Sequence, residues 1–554
     1  MDVHPFALFS FSSAAGVLSH VFFHYFEPES VSQFLVFPIS AGVIERYVFS
    51  LGAAQILLSG LAWSSSLAIS VLFYRVISPF HPLHHVPGPP LAKCTQIAQF
   101  WSLYKGRPRV DQWKLHQRYG PVVRIGPNEV SIADTAALSP IFGAKSWAKG
   151  KAYSFTASGG AATSETALSS IRDHREHAAR RKIWDHAFSI AALKGYQPSI
   201  ELRVQQLCDQ LDRLTGKGPI DLQEWIGYLV FDVMTDLAWG GGGDAVIQGR
   251  DPSGAIASLR YSLHLAGMTK ALPWFANVVT SLPWVERKTR MFRTFARDMF
   301  LKRKENGEAK AGQTGRDVFY HLLGEGTSEG RKLSIGALQA DSRQVVTGGA
   351  DTTVSAITYL FYHLLRQPPY YKQLQSELDR LAASSPDNEL QYDTVQRFAV
   401  LDAYINEAMR LEPPIPYQNQ RIVPQDGVTF SDVFIPGGTH VRTALYTIAR
   451  SPANFSNPEQ FCPERWISAR RGSHEAFNPK ANIPFIQGPY HCVGRNFAMA
   501  EMRWTVARLV ERYDMELVPG FDQLGFESCI EDRSVLEIES SLDVRVRVRK
   551  HDQS

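Results

Sequence analysis

Apolar residues crowd the first eighty positions more densely than a soluble core helix requires. From Tyr47 to Tyr74 no residue is charged, and Leu51 to Tyr74 alone is long enough to span a bilayer, which takes roughly 20 apolar residues. Arg75 and the turn-rich HPLHHVPGPP follow. Two earlier apolar stretches precede it. Pro5 to Phe26 is interrupted only by His20 and His24. Val31 to Ile44 is shorter, ends at Glu45-Arg46, and reads either as a re-entrant or interfacial piece or as a span. Residues 1–78 are therefore expected to form a membrane region with one to three transmembrane segments. The basic residue after the last one favours a cytosolic main domain. A cleavable signal peptide fits poorly, because no basic n-region precedes the apolar material.

Beyond the stiff Pro87-Gly88-Pro89-Pro90 hinge, the spacing turns helical. Ser334 is placed to cap a helix running to about Arg366, stopped by Pro368-Pro369. At 1.5 Å per residue it is roughly 50 Å long, a rod only a large helical domain needs. Further helices are predicted from about Thr394 to Leu411, before Pro413-Pro414, and from just after Cys492 to about Tyr513. The Gly240–Gly243 run is a short loop. Alternation suited to strands is confined to Gly427–Phe434, His440–Tyr446 and Leu536–Val548. The fold class expected is mainly α with small β-sheets, one domain over 79–554.

Composition sharpens this picture. With 554 residues and 44% apolar content the chain has enough material for a large core, and a net charge of +4 gives no concentrated basic face for nucleic acid. The five cysteines (Cys94, Cys208, Cys462, Cys492 and Cys529) are scattered and odd in number. That argues for a reducing compartment rather than a disulfide framework.

Four constellations carry candidate chemistry. In PFIQGPYHCVGRNFAMAEMR, residues 484–503, Cys492 follows Phe485 and Gly488 and precedes Gly494 and a helical pattern. A cysteine at a helix start is favoured as thiolate, and axial ligation of haem iron is the strongest use for it. A buried structural cysteine is the plain alternative. Gly488 would permit a tight bend, Gly494 a close approach to a flat macrocycle, and Phe485 would lie against the sulfur.

The second constellation is Gly348-Gly349-Ala350-Asp351-Thr352-Thr353, within the long helix. Interior glycines cost about 1 kcal/mol each. They suggest room for a ligand and a local distortion that frees a backbone carbonyl. Asp351 and Thr352 would then act as a proton relay beside that gap. Close helix packing at the glycines is the competing account. Third, Glu407 and Arg410 share a helix face, and Arg465 in FCPERW would complete a buried triad clamping the cysteine loop to the core. Fourth, His177 and Arg181, four apart in HREHAARRKIWDHAF, suit a carboxylate pair such as haem propionates, unless the run is an ordinary solvated face.

In this order and spacing the four resemble the cytochrome P450 family over roughly residues 80 to 550, and the pattern looks like fungal members acting on secondary metabolites. The resemblance implies a haem b monooxygenase with Cys492 as axial ligand. Two electrons and two protons cleave dioxygen, and one oxygen atom enters a C–H or C=C bond. Asp351 and Thr352 would deliver protons, and Glu407, Arg410 and Arg465 would be structural. No flavin or nicotinamide domain is expected on the chain. Electrons would come from NADPH through a separate cytochrome P450 reductase docking near the cysteine loop, with cytochrome b5 as a further candidate. The site implied is the endoplasmic reticulum membrane, with the catalytic domain facing the cytosol.

One departure stands out. Two residues before the cysteine the family usually has Arg, or sometimes His, bound to a propionate, whereas this chain has Tyr490, which carries no charge. Either His491 or the His177/Arg181 helix compensates, as expected here, or haem is held less tightly. The roof of the pocket is expected over about 249–294, with Leu265, Met268, Trp274, Phe275 and Trp284 suggesting a bulky apolar substrate of terpenoid, indole alkaloid or polyketide type. A haem-thiolate isomerase or dehydratase and a non-enzymatic membrane-tethered haem binder are the rival classes. The intact Asp351-Thr352 pair weighs against the first, and the lack of any signalling segment against the second.

Overall fold

The computed structural model describes residues 5–26, 31–48, 50–154, 166–306, 317–323, 333–417, 419–470, 476–533 and 535–549. Three helices make up the N-terminal region: Pro5–Tyr25, Val31–Tyr47 and Ala53–Val76. Among the described residues, Ala53–Val76 is the one helix long and apolar enough to cross a membrane. The first and third pack closely. A Cβ at Gly16 would fall 2.4 Å from the Trp63 carbonyl oxygen, so glycine lets the two backbones meet. Across this seam the Ser12 and Ser59 hydroxyls bond at 2.8 Å, His20 Nδ1 meets Ser70 Oγ at 2.8 Å, and Trp63 Nε1 donates to Ser19 Oγ at 3.0 Å. The stretch from Val31 is helical through Tyr47, with Pro38 inside it.

The rest is a mainly helical body with small sheets. Its axis is the central helix, Ile335–Arg366, 32 residues long. Ser334 Oγ accepts the Ala337 N–H at 3.1 Å, which satisfies one of the orphan donors at its start. Pro368 ends this helix and also opens the next, Pro368–Ala383, because proline is tolerated in a first turn. The stretch expected as one helix from Thr394 is two pieces, Tyr392–Val395 and Ala399–Leu411. The helix after the cysteine loop is Arg495–Arg512, and Tyr513 already starts a strand.

The strands depart further from expectation. Val122–Gly126 and Glu129–Ile132 escaped the sequence reading because both are buried on both faces, which removes the alternation. They begin a four-stranded sheet continued by His440–Thr443, parallel to Glu129–Ile132, and closed by Arg421–Ile422. Gly427–Phe434 is not one strand but a hairpin of Val428–Phe430 and Val433–Ile435. Its tip residues Ser431 and Asp432 both have positive φ, 46° and 61°, the geometry of a tight hairpin turn. The C-terminal stretch likewise divides. Leu536–Ile538 pairs with Ile530–Asp532, and Asp543–Val548 joins Tyr513–Leu517 and Ile220–Asp221.

Two apolar clusters result. The larger surrounds the central helix; the smaller lies under the four-stranded sheet. A cavity opens within the larger cluster, beside the central helix.

Candidate active site

The cysteine loop forms one wall of that cavity, which has a volume of about 440 Å³. The Cys492 N–H donates to the Phe485 carbonyl at 2.8 Å, closing the loop on itself. Gly488 makes the bend possible: its φ is +70°, and a Cβ there would sit 1.9 Å from the Phe142 carbonyl oxygen. No other residue fits both conditions. Cys492, Phe485, Tyr490 and Gly494 all line the cavity. Burial pushes the Cys492 thiol up, against the pull of the Gly494 N–H, Arg181 and Arg495.

The opposite wall is the central helix. Gly348, Gly349, Thr352 and Thr353 face the cavity. The helix runs through this stretch without a break, and the Thr352 hydroxyl donates to the Gly348 carbonyl at 2.8 Å, occupying the carbonyl that was expected to be free for water. The two glycines do different work. A Cβ on Gly349 would lie 2.2 Å from Met234 Sδ, which is helix packing, whereas Gly348 meets only the Gln344 amide, at 3.1 Å. Asp351 does not face the large cavity. It turns to the back of the helix, where Arg260 Nε lies 3.7 Å from Oδ1, and lines a separate small cavity. Carboxyl and hydroxyl thus sit on different faces, as expected for helix neighbours about 100° apart.

One end of the cavity is cationic. The Tyr490 ring packs on His177 with centroids 4.5 Å apart, Lys149 Nζ lies 4.8 Å from its centroid, and the Arg421 guanidinium 5.2 Å from it. Arg181 donates to the His491 carbonyl at 2.7 Å, contacts His491 Nε2 at 2.8 Å, and pairs with Asp185. It therefore braces the residue next to Cys492 as well as facing the cavity. His177 lines the cavity beside Arg181, as the spacing predicts; burial, with Lys149 and Arg181 beside it, lowers it to about 3, so at neutral pH it can offer a hydrogen bond but no charge. Lys149, drawn down to about 7 by burial and Arg421 and so only partly charged at neutral pH, and Arg421 itself are the basic groups that sequence reading missed. They lie 149 and 421 along the chain, with nothing local to connect them.

Glu407 is fully buried and accepts five bonds. Arg410 gives two at 2.9 Å, Arg465 one at 3.1 Å, the Cys462 N–H one at 2.9 Å, and Trp466 Nε1 one at 2.8 Å. Arg410 and Arg465 go on to the carbonyls of Ala449, Pro458, Gln460 and Ser456. The segment fastened to helix Ala399–Leu411 is thus 449–466, not the cysteine loop itself.

From the region expected as roof, helix Ala255–Thr269 brings Leu263 and Ala266 to the cavity, and Lys270 follows it there. Leu265 is buried elsewhere, Met268 is half-buried and does not line the cavity, Phe275 packs edge-on against Phe100, and Trp284 is exposed. The Trp274 side chain lies outside the described residues. The Phe275 ring serves packing and the Trp284 ring faces the surface, so neither reports on the substrate.

The family model described as cytochrome P450 matches residues 86–528. The chain belongs to the cytochrome P450 family. It is 36% identical to "Cytochrome P450 67" of Uromyces fabae over 504 residues, 89% of this chain and 90% of that one. It is 33% identical to "Tryprostatin B 6-hydroxylase" of Aspergillus fumigatus over 85% of this chain and 81% of the relative. "Cytochrome P450 monooxygenase orf5" of Eupenicillium brefeldianum is 32% identical over 83% and 90%. The protein is a cytochrome P450 monooxygenase. That family implies haem-thiolate chemistry, and the residues present fit it. One sulfur faces an apolar slot, Gly348 and Gly494 leave the slot without side chains, and cations gather at one end.

Proposed function

We propose that this cytochrome P450 inserts one oxygen atom of O2 into a bulky apolar small molecule, as a tailoring step in fungal secondary metabolism. Cys492 would hold the haem iron. Lys149, Arg421 and Arg181 would take the propionates, with Tyr490 giving one hydrogen bond where a charged residue is usual. The observation that carries the reading is the sulfur facing Thr352 and Gly348 across one apolar cavity. Bound haem supplies the reductive activation of dioxygen and the oxygen transfer. The chain's own residues do the rest. Leu237, Leu263, Val345 and Ala356 exclude water from the reacting carbon. Thr352, its hydroxyl hydrogen spent on Gly348, presents lone pairs that orient water, and Asp351 supplies protons from behind. Relatives that carry hydroxylase and monooxygenase names support the reaction class and the fungal setting. Electrons would come from NADPH through a membrane-bound reductase, with cytochrome b5 as a second donor. Helix Ala53–Val76 would hold residues 79–554 on the cytosolic face of the endoplasmic reticulum.

The test is the carbon monoxide spectrum of the reduced protein. Cys492→Ala should abolish the thiolate-type absorption, and an unchanged spectrum would refute the ligand assignment. Difference spectra against terpenoid, indole and polyketide panels then select the substrate class.

A further inference from the structure

Behind the central helix lies the second cavity, about 50 Å³, against the roughly 10–15 Å³ that one water needs. Its lining is unusual. Asp351 Oδ2, Ser355 Oγ, Thr358 Oγ1 and Tyr359 Oη, all on one face of the helix, make no hydrogen bond among the described residues, and neither does Gln223 Oε1. All four helix residues are more than nine-tenths buried. Unmatched buried polar atoms each cost about 1–3 kcal/mol, so five around one chamber point to bound water as their common partner.

The far wall of the chamber is Glu537, on strand Leu536–Ile538. Its Oε2 lies 3.6 Å from His264 Nε2, which also lies 3.5 Å from Glu531 and 4.0 Å from Glu539. Glu539 is 54% exposed, and Arg533 ties Glu531 and Glu539 together. A run of titratable groups therefore leads from solvent to Asp351.

We propose that this chamber holds a short water chain and that Glu537 is a positioning residue passing protons through it to Asp351. The inference rests on the role proposed above for Asp351. A proton leaves the Glu537 carboxyl for a chamber water while that water chain gives one to the Asp351 carboxylate. Glu537 is reprotonated from solvent by way of Glu531 and Glu539, which share a hydrogen bond, while His264 Nε2 accepts from Arg533 and stays neutral; no electron moves. The groups facing Glu537 are Asp351 and Tyr359 on the central helix, Arg260 and His264 on helix Ala255–Thr269, and Glu531, Arg533 and Glu539 on the C-terminal strands and their turn. Burial and the Asp351 charge raise Glu537 to about 8, so it carries a proton at neutral pH. Burial likewise raises Asp351, against Arg260.

The experiment uses the full-length haem protein in vesicles with NADPH and a microsomal reductase, and reads the share of consumed O2 released as hydrogen peroxide rather than water. It needs no identified substrate. Glu537→Gln is expected to keep the carbon monoxide spectrum, raise the peroxide share several-fold, flatten its pH profile, and remove a carboxylic-acid carbonyl band from the infrared spectrum at pH 7. Glu537→Asp should restore much of the coupling, and Ser355→Ala, which spares all charges, should raise peroxide more modestly. A wild-type peroxide share and pH profile in Glu537→Gln overturns the proposal. If that variant does not fold, a wild-type peroxide share and pH profile in Ser355→Ala overturns it. Asp351→Asn separates the two levels. Coupling lost there but kept in Glu537→Gln defeats the feed alone, whereas coupling kept in Asp351→Asn defeats the role assigned to Asp351. In the double variant the effects should not add.

Discussion

Glu407 and Asp351 are both carboxylates inside the same helical body, and their surroundings could hardly differ more. Glu407 has every lone pair in use, from two arginines, an indole and a backbone N–H. Asp351 has one oxygen 3.7 Å from a guanidinium and the other without a partner among the described residues. A fully satisfied buried charge fixes geometry and resists change. A half-satisfied one keeps a group that must exchange protons within reach of water. The contrast separates residues that hold this protein together from residues that let it react.

The comparison is most exposed to failure at its rigid end. Glu407→Gln should cost about 3–5 kcal/mol, because it strands two buried arginines. Thermal unfolding and the yield of haem-loaded protein measure this; a Tm within a degree or two of wild type would mean the network holds nothing. Thr352→Ala probes the reactive end. Stability should change by no more than about 1 kcal/mol, while NADPH consumption continues with its O2 diverted to peroxide. Fully coupled turnover would remove Thr352 from the relay.

A smaller effect appears in pH dependence. Glu537 is about 8 in the folded protein against 4.5 unfolded, so between those values the folded state binds more protons and stability falls as pH rises. Chemical denaturation across pH 5 to 8 should show a shallower fall in Glu537→Gln than in wild type. Equal slopes would mean that Glu537 is already ionised at neutral pH.

The smallest change concerns a third kind of buried charge. Arg124 is fully buried and bonds mainly to neutral acceptors, the carbonyls of Arg75, Gly126 and Pro127 and the ring of His81. Burial and Arg75 lower it to about 10. Deleting residues 1–78 removes one of those acceptors, so the body should lose only about 1 kcal/mol while membrane attachment weakens. Undiminished sedimentation with membranes would point to a second anchor, such as the 272–275 segment.

These cases also explain what could be read from the chain. Glu407, Arg410 and Arg465 carry local signatures: helix spacing, flanking prolines, the PERW turn. The Cys492 loop does too, and so does the Ser334 cap. Lys149, Arg421 and Glu537 do not, since each reaches its site only after three distant segments pack together. Strands Val122–Gly126 and Glu129–Ile132 were invisible for a related reason, being covered on both sides. The orientation of Asp351 needed the structure, because a motif gives the order of residues and not which neighbour faces the cavity.

The hydrogen bonds between the first and third helices have a mechanical meaning. If the pair lay in lipid, such contacts would be worth about 0.6 kcal/mol each, too little to drive assembly but enough to choose among rotations. One smooth apolar rod would let the body swivel freely above the bilayer. A keyed pair has a preferred heading, and the Arg75 side chain, donating to the Cys94 carbonyl at 2.8 Å, transmits it. The angle at which the N-terminal helix pair leaves the body is in this sense written into Ser12, Ser19 and His20.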